Sequence, residues 1–262
     1  MSERVERQND RSVAEEAGSP PPQLAARLQR GPLHVVVLSG AGLSAASGLA
    51  TFRDADGHWA RYRPQDLATP EAFATRPEVV WGWYAARFRA ATAAAPNAGH
   101  LEIARWEDRF ASLTVVTQNV DGLHQRAGSR EPLELHGSLL RARCTRCGRY
   151  LAMAEAMTCP GTPPHCDCGG RLRPDVVWFG EALPYDALAR ADRAAAAADL
   201  FVVAGTSAEV YPAAGLIEVA ARAGAFVVEI NPRTTPLSPL ANLRLAGSAA
   251  EELPRLGRWI AP

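Results

Sequence analysis

Four short runs limit what this chain can fold into: LHVVVLSG (33–40), LTVVTQN (113–119), LFVVAGTS (200–207) and AFVVEIN (225–231). Each is rich in β-branched residues and lacks polar alternation, the pattern of strands covered on both faces. Helical stretches lie between them, among them PEVVWGWYAARFRAATAAA, HLEIARWEDR and YPAAGLIEVAARAG. Strands alternating with helices predict a parallel α/β sheet with right-handed crossovers. The 262 residues, 47% of them hydrophobic, suffice for one large domain or one domain with a small insert.

The formal net charge is zero, which gives no electrostatic case for nucleic acid or a membrane surface as partner. No apolar run approaches the roughly 20 residues of a membrane span, and no signal-peptide pattern opens the chain, so cytoplasm is the expected location. All 28 basic residues are arginine and lysine is absent. Coding bias is the simpler explanation, and Schiff-base catalysis by lysine is excluded. Residues 1–23 are polar, end in a proline run and read as a loosely attached tail before a folded domain at 24–262.

Polar residues gather just past the buried runs, where open α/β sheets bind ligands. In SGAGLSAASGLATFRD (39–54), Gly40 and Gly42 permit a tight turn and close backbone approach to a phosphate. Taken alone, that GxG equally fits a turn that packs helix on sheet. In TQNVDGLHQRAG (117–128), Asn119 and Asp121 could hydrogen-bond a carboxamide, and His136 in ELHG (134–137) suits a general base near neutral pH. His58, His100 and His165 lack such a setting and read as surface, capping or packing groups, with His34 structural. GTSAEVYPAA (205–214) and EINPRTTPLS (229–238) suit ribose and phosphate contacts, although ordinary strand-to-helix turns would also explain them.

Residues 141–173 hold all five cysteines and no expected core helix. CTRC (144–147) followed by CDCGG (166–170) points to a structural zinc site with Cys144, Cys147, Cys166 and Cys168 as ligands. Only one residue separates Cys166 from Cys168, so Cys159 stands as the reserve ligand. An odd cysteine number without a secretion signal argues against disulfides.

Together these blocks, with LRPDVVWFGE (172–181), resemble the sirtuin family of NAD-dependent protein-lysine deacylases, in the family's order from residue 33 to 253. The resemblance implies a Rossmann-like domain (24–45, 96–140 and 174–262) and a smaller helical and zinc-bearing module (46–95 and 141–173); a monomer is the default expectation, with the oligomeric state left open by the sequence. It places NAD and acyl-lysine in the cleft between the two. Carried over by position, Gly40, Ala41, Gly42, Ser44 and Arg53 line the phosphate and ribose region, and Phe52 borders the nicotinamide. Gln118, Asn119 and Asp121 form the ribose and nicotinamide pocket. Gly205, Thr206, Ser207, Asn231 and Ala249 surround the adenosine end, and His136 is the catalytic base. The peptide would lie extended between Val177-Trp178-Phe179-Gly180-Glu181 and Glu209–Tyr211, adding a strand by main-chain pairing. Products would be lysine, nicotinamide and O-acyl-ADP-ribose. Ala46 and Ala50 depart from the commoner residues of the cofactor loop without removing a reacting group.

WGWYAARF (81–88) adds a finer expectation. Trp81, Tyr84 and Phe88 make an ordinary core stripe, and Arg87 could simply stack on Trp83. Tyr-x-x-Arg here also matches the sirtuin branch that accepts acidic acyl chains, so removal of succinyl and malonyl as well as acetyl groups is expected. A guanidinium holds a carboxylate at two points and a phenol adds a neutral donor. A mainly acetyl-directed deacetylase, a protein ADP-ribosyltransferase and a non-catalytic NAD-binding module remain the alternatives.

Overall fold

A computed structural model of the chain describes residues 18–31, 33–52 and 63–260. Among these the strands are β1 (His34–Ser39), β2 (Ser112–Thr117), β3 (Leu133–Glu134), β4 (Gly137–Cys144), β5 (Tyr150–Ala152), β6 (Leu172–Val176), β7 (Leu200–Ala204), β8 (Phe226–Ile230) and β9 (Leu243–Leu245). Six of them form one sheet in the order β3-β2-β1-β7-β8-β9, with every neighbouring pair parallel. The chain winds outward from β1 to β3, then crosses to β7 and winds outward the other way. This is the doubly wound, Rossmann-like arrangement, and its switch point lies between β1 and β7.

The lack of polar alternation has a direct cause. Successive side chains of a strand point to opposite faces, and both faces of this sheet are covered. On β1, Val35 and Val37 join a core with Ile103, Trp106, Leu253 and Leu256. Val36 and Leu38 join a second core with Ala191, Ala195, Leu216 and Ile217. Helices Ala98–Trp106 and Ala249–Ile260 thus cover one face, and Tyr185–Ala196 and Gly215–Arg222 the other. Each such side chain contributes about 1.5–3 kcal/mol by leaving water, so both parities of the strand are filled mainly with apolar residues. The edge strands β3 and β9 and the helix Ala249–Ile260 lie outside the expected elements.

A second sheet, in the order β5-β4-β6, is antiparallel. With the helix Met153–Ala156, whose Met153 and Ala156 are fully buried, it gives the cysteine-bearing segment regular structure, including a short helix that was not expected there. The expected divisions at 140/141 and 173/174 fall within β4 and β6, so the two modules are joined by continuous strands.

The helix Pro77–Ala93 starts on proline, whose missing N–H costs nothing in a first turn. Its apolar residues serve two cores instead of one stripe. Val80 and Tyr84 pack with Phe73, Leu139, Val176 and Trp178. Trp81 and Phe88 pack with Ala142, Met153 and Leu172 of the cysteine module.

Candidate active site

A cleft of about 1230 Å3 opens at the carboxyl ends of β1, β2, β7 and β8. Gly40, Ala41, Gly42, Ser44 and Phe52 line it from the first loop, and Gln118, Asn119, Asp121 and His136 from the second. Gly205, Thr206, Ser207, Asn231 and Ala249 line it as well, as do Tyr84, Arg87 and Val177-Trp178-Phe179-Gly180-Glu181. Residues from widely separated stretches of sequence therefore meet in one cavity. Arg53 lies outside the described residues, as does His58.

The glycines are there because two loops touch. Gly42 N donates to the Gly205 carbonyl at 2.7 Å. A Cβ on Gly42 would stand 2.8 Å from Gly205 Cα. Gly205 sits at φ +64°, and a Cβ on it would stand 2.3 Å from Leu43 N. Close approach at the switch point, and left-handed backbone at Gly205, both demand hydrogen as the side chain.

Polar groups tie the loop ends together. Gln118 Nε2 donates to Thr206 Oγ1 at 2.9 Å, and Asn231 Nδ2 donates to the Thr206 carbonyl at 2.8 Å. His136 Nδ1 lies 3.0 Å from the Gln118 carbonyl. A carbonyl only accepts, so the proton of the neutral ring resides on Nδ1 and Nε2 keeps a lone pair. Burial pushes the His136 pKa below its ordinary value, against the opposing pull of that carbonyl. The ring is neutral, and able to take a proton, at physiological pH.

Asn119, Asp121 and Ser44 form a second knot. Ser44 Oγ donates to Asp121 Oδ2 at 2.7 Å, and Asn119 Nδ2 donates to the Gly40 carbonyl at 3.0 Å and to Ser44 Oγ at 3.2 Å. Asp121 Oδ1 accepts from Leu123 N at 2.9 Å. Behind this knot sit two buried imidazoles with ring centroids 5.2 Å apart. His100 closes a capping box with Asn97 at the start of its helix, and burial lowers its pKa to about 4. His124, lowered to about 3 by burial, lies 2.8 Å from Ser39 Oγ. Nothing in the residue pattern marks the Ser39–His124 contact, because it joins a strand end to a helix 85 positions away.

Tyr84, which also lines the cleft, is 1% exposed and its hydroxyl accepts from Trp178 Nε1 at 3.0 Å. Burial raises its pKa to about 12, so the phenol keeps its proton. The half-buried Arg87 has its guanidinium carbon 4.7 Å from the Trp83 ring centroid, 5.0 Å from Phe52 and 5.5 Å from Tyr84. Stacking on Trp83 and exposure to the cleft thus hold together. Among the described residues no carboxylate forms a close ion pair with Arg87, and burial lowers its pKa against the opposing pull of Tyr84 and Asp121.

The thiol sulfurs of Cys144, Cys147, Cys166 and Cys168 all lie within 4.8 Å of one another. Cys144 and Cys168 are 3.5 Å apart, and Cys147 and Cys166 3.9 Å. A tetrahedral zinc with Zn–S near 2.3 Å needs sulfurs about 3.8 Å apart, so the four-thiolate set fits this metal. Cys159 stands aside, its thiol directed at the Glu155 carbonyl 3.7 Å away, and the reserve assignment falls. None of the four lines the cleft, and a closed thiolate site leaves no coordination position for chemistry. Purified protein should carry one zinc per chain by metal analysis. A strong chelator should unfold the small sheet, and a zinc-free sample with that sheet intact would refute the site.

Sheet order and cleft together place the chain in the doubly wound class common among nucleotide-binding proteins, with a four-thiolate module that fits a structural metal. The Sir2 family profile matches residues 40–212. A protein named NAD-dependent protein deacylase from Thermus thermophilus is 54% identical over 222 residues, 83% of this chain and 86% of that one. One of the same name from Mycolicibacterium paratuberculosis is 51% identical over 229 residues, 86% of this chain and 96% of that one. Among solved structures, a Sir2 homologue in complex with NAD superposes with a TM-score of 0.83 at 47% identity, covering 92% of this chain and 94% of that one. A mutant Sir2 homologue in complex with ADP-ribose gives 0.84 at 46% identity, covering 91% and 96%. The chain belongs to the Sir2 family, the sirtuins, whose members are NAD-dependent protein deacylases. No helix among the described residues is long and apolar enough to cross a membrane.

Proposed function

We propose that this enzyme removes acyl groups from protein lysines at the expense of NAD, and that it prefers succinyl and malonyl groups to acetyl. The observation that carries the preference is Arg87, a cation held among three rings beside a protonated phenol, with no carboxylate in a close ion pair with it among the described residues. Arg87 and the Tyr84 hydroxyl give this wall a cation and a neutral donor, with Asp121 the carboxylate that acts on Arg87 from farther off. An acyl chain ending in a carboxylate satisfies both groups, and the surrounding rings strengthen the contacts by excluding water.

Bound NAD supplies an electrophilic ribose carbon whose leaving group is nicotinamide. The chain's own part is to hold, orient and move protons. The loop of Gly40, Ala41 and Gly42 provides backbone at close range for the phosphates, and Gly205, Thr206, Ser207, Asn231 and Ala249 enclose the adenosine end. Phe52, Gln118, Asn119 and Asp121 would surround the nicotinamide and its ribose, with Ser44 on the phosphate and ribose side. His136, with Nδ1 committed to Gln118, presents Nε2 to accept a proton from a ribose hydroxyl. The peptide backbone runs between Val177–Glu181 and Glu209–Tyr211, with the acyl-lysine entering toward Tyr84 and Arg87.

Wild-type enzyme with NAD and succinyl-, malonyl- and acetyl-lysine versions of one peptide tests this reading. Charge-assisted hydrogen bonds to the carboxylate favour the acidic substrates by about tenfold or more in kcat/KM. Acetyl turnover equal to or faster than succinyl turnover would sink the preference while leaving the deacylase reading standing.

A further inference from the structure

We infer that Trp178 is a positioning residue for acyl selectivity. Its indole N–H fixes Tyr84 as an acceptor and thereby aims the only hydrogen of the phenol into the acyl end of the cleft. The inference rests on the reading of this wall as an acidic-acyl site, and it assigns to the Trp178 side chain a task separate from main-chain pairing with the peptide.

The direction of the bond follows from chemistry. An indole nitrogen can donate and never accept, so at 3.0 Å from Trp178 Nε1 the Tyr84 oxygen must be the acceptor. Both side chains are buried, at 3% and 1% exposure. A hydroxyl hydrogen ordinarily rotates to suit its surroundings. Here one side is closed to it, because turning toward Trp178 would set two hydrogens against each other. The phenol hydrogen meets no acceptor among the described residues, and Tyr84 lines the cleft beside Arg87. The wall is therefore set to donate before any substrate arrives.

Trp178 is itself held from three sides. The Arg173 guanidinium carbon stands 3.4 Å from the centroid of its ring system, and the Phe73 ring packs 5.3 Å away. Its backbone N donates to Glu181 Oε2 at 2.9 Å. Arg173 in turn grips both Glu181 oxygens, at 2.6 and 2.9 Å, and donates to the Val176 carbonyl at 2.9 Å. This clamp braces the segment that carries Trp178. A cation over the ring face also draws electron density from the indole, which makes its N–H a better donor.

The test compares Trp178→Phe, Tyr84→Phe and the double variant on succinyl- and acetyl-lysine peptides with NAD. Phenylalanine keeps an aromatic ring in place and removes the N–H. The ratio of succinyl to acetyl kcat/KM should fall about fivefold in Trp178→Phe, chiefly through KM for the succinyl peptide, as expected for one weakened hydrogen bond to a charged group. The double variant should lose no more than Tyr84→Phe alone, since both changes act on one hydroxyl. Additive losses, or equal losses on both peptides, would make Trp178 a packing residue and overturn the inference. If Tyr84→Phe lowers the ratio and Trp178→Phe does not, the inference fails and the acidic-acyl reading stands. A wild-type enzyme with no preference for succinyl overturns both. Should Trp178→Phe not fold, nitrogen-15 labelling of the indoles gives a second reading. The Trp178 Nε1–H resonance should shift and exchange faster in Tyr84→Phe, and an unchanged resonance would refute the bond.

Discussion

Replacing His136 by tyrosine is expected to lower acyl-peptide turnover by at least about 10²-fold, the usual worth of a positioned general base. The imidazole holds its Nδ1 proton against the Gln118 carbonyl, 3.0 Å away, and keeps Nε2 free to accept. A phenol offers no comparable base at neutral pH. Binding of ADP-ribose, followed by its shift in melting temperature, should survive, because the loops around Gly40 and Gly205 are built without His136. The pH profile carries an independent sign. Burial depresses the His136 pKa, so the neutral base persists below pH 6.5. The acid limb of kcat/KM should therefore fall below pH 6.5, and a limb above pH 7 would point to another group. Variant turnover above a tenth of wild type would remove His136 from its assigned role.

Arg87→Met should reduce kcat/KM for a succinyl-lysine peptide by about 10²-fold, and for the acetyl peptide by far less. Methionine approximates the length of the arginine stem, stays compatible with the Trp83, Phe52 and Tyr84 rings, and removes the charge. A hydrogen-bonded charge pair in an enclosed pocket is worth about 1.5–3 kcal/mol per contact, which sets the magnitude on the acidic substrate. The acetyl group makes no such contact and loses only pocket shape. Lost cation–π stacking should lower stability by about 1 kcal/mol, visible as a small fall in melting temperature. Equal losses on both peptides would return Arg87 to packing.

Much of this was legible in the residues because the physics is local. A strand covered on both faces cannot alternate, and so β1, β2, β7 and β8 announce themselves. The glycines at 40, 42 and 205 mark a close approach of loops that no side chain would permit. The four thiols declare a metal site by spacing, although the choice between Cys159 and Cys166 needed the fold to bring sulfurs together. Other features had no local signature. Two- and three-residue edge strands such as β3 and β9 are too short to show a period. Helical spacing groups Trp81, Tyr84 and Phe88 without saying what covers each, and the structure divides them between two cores. The Trp178–Tyr84 bond spans 94 positions, and the Ser39–His124 contact spans 85. Partnerships at that range depend on topology, which periodicity cannot supply.

The division of the helix Pro77–Ala93 between two cores has a practical corollary for anyone handling the enzyme. One side of the helix rests on the cysteine module and another carries Tyr84 to the cleft, whereas the loops at Gly40 and Gly205 hang from the parallel sheet. Partial demetallation would then leave cofactor affinity nearly intact while blurring which acyl chain is accepted. Two preparations of the same polypeptide could report different substrate profiles through their zinc content alone, so metal stoichiometry belongs beside every selectivity ratio measured on it.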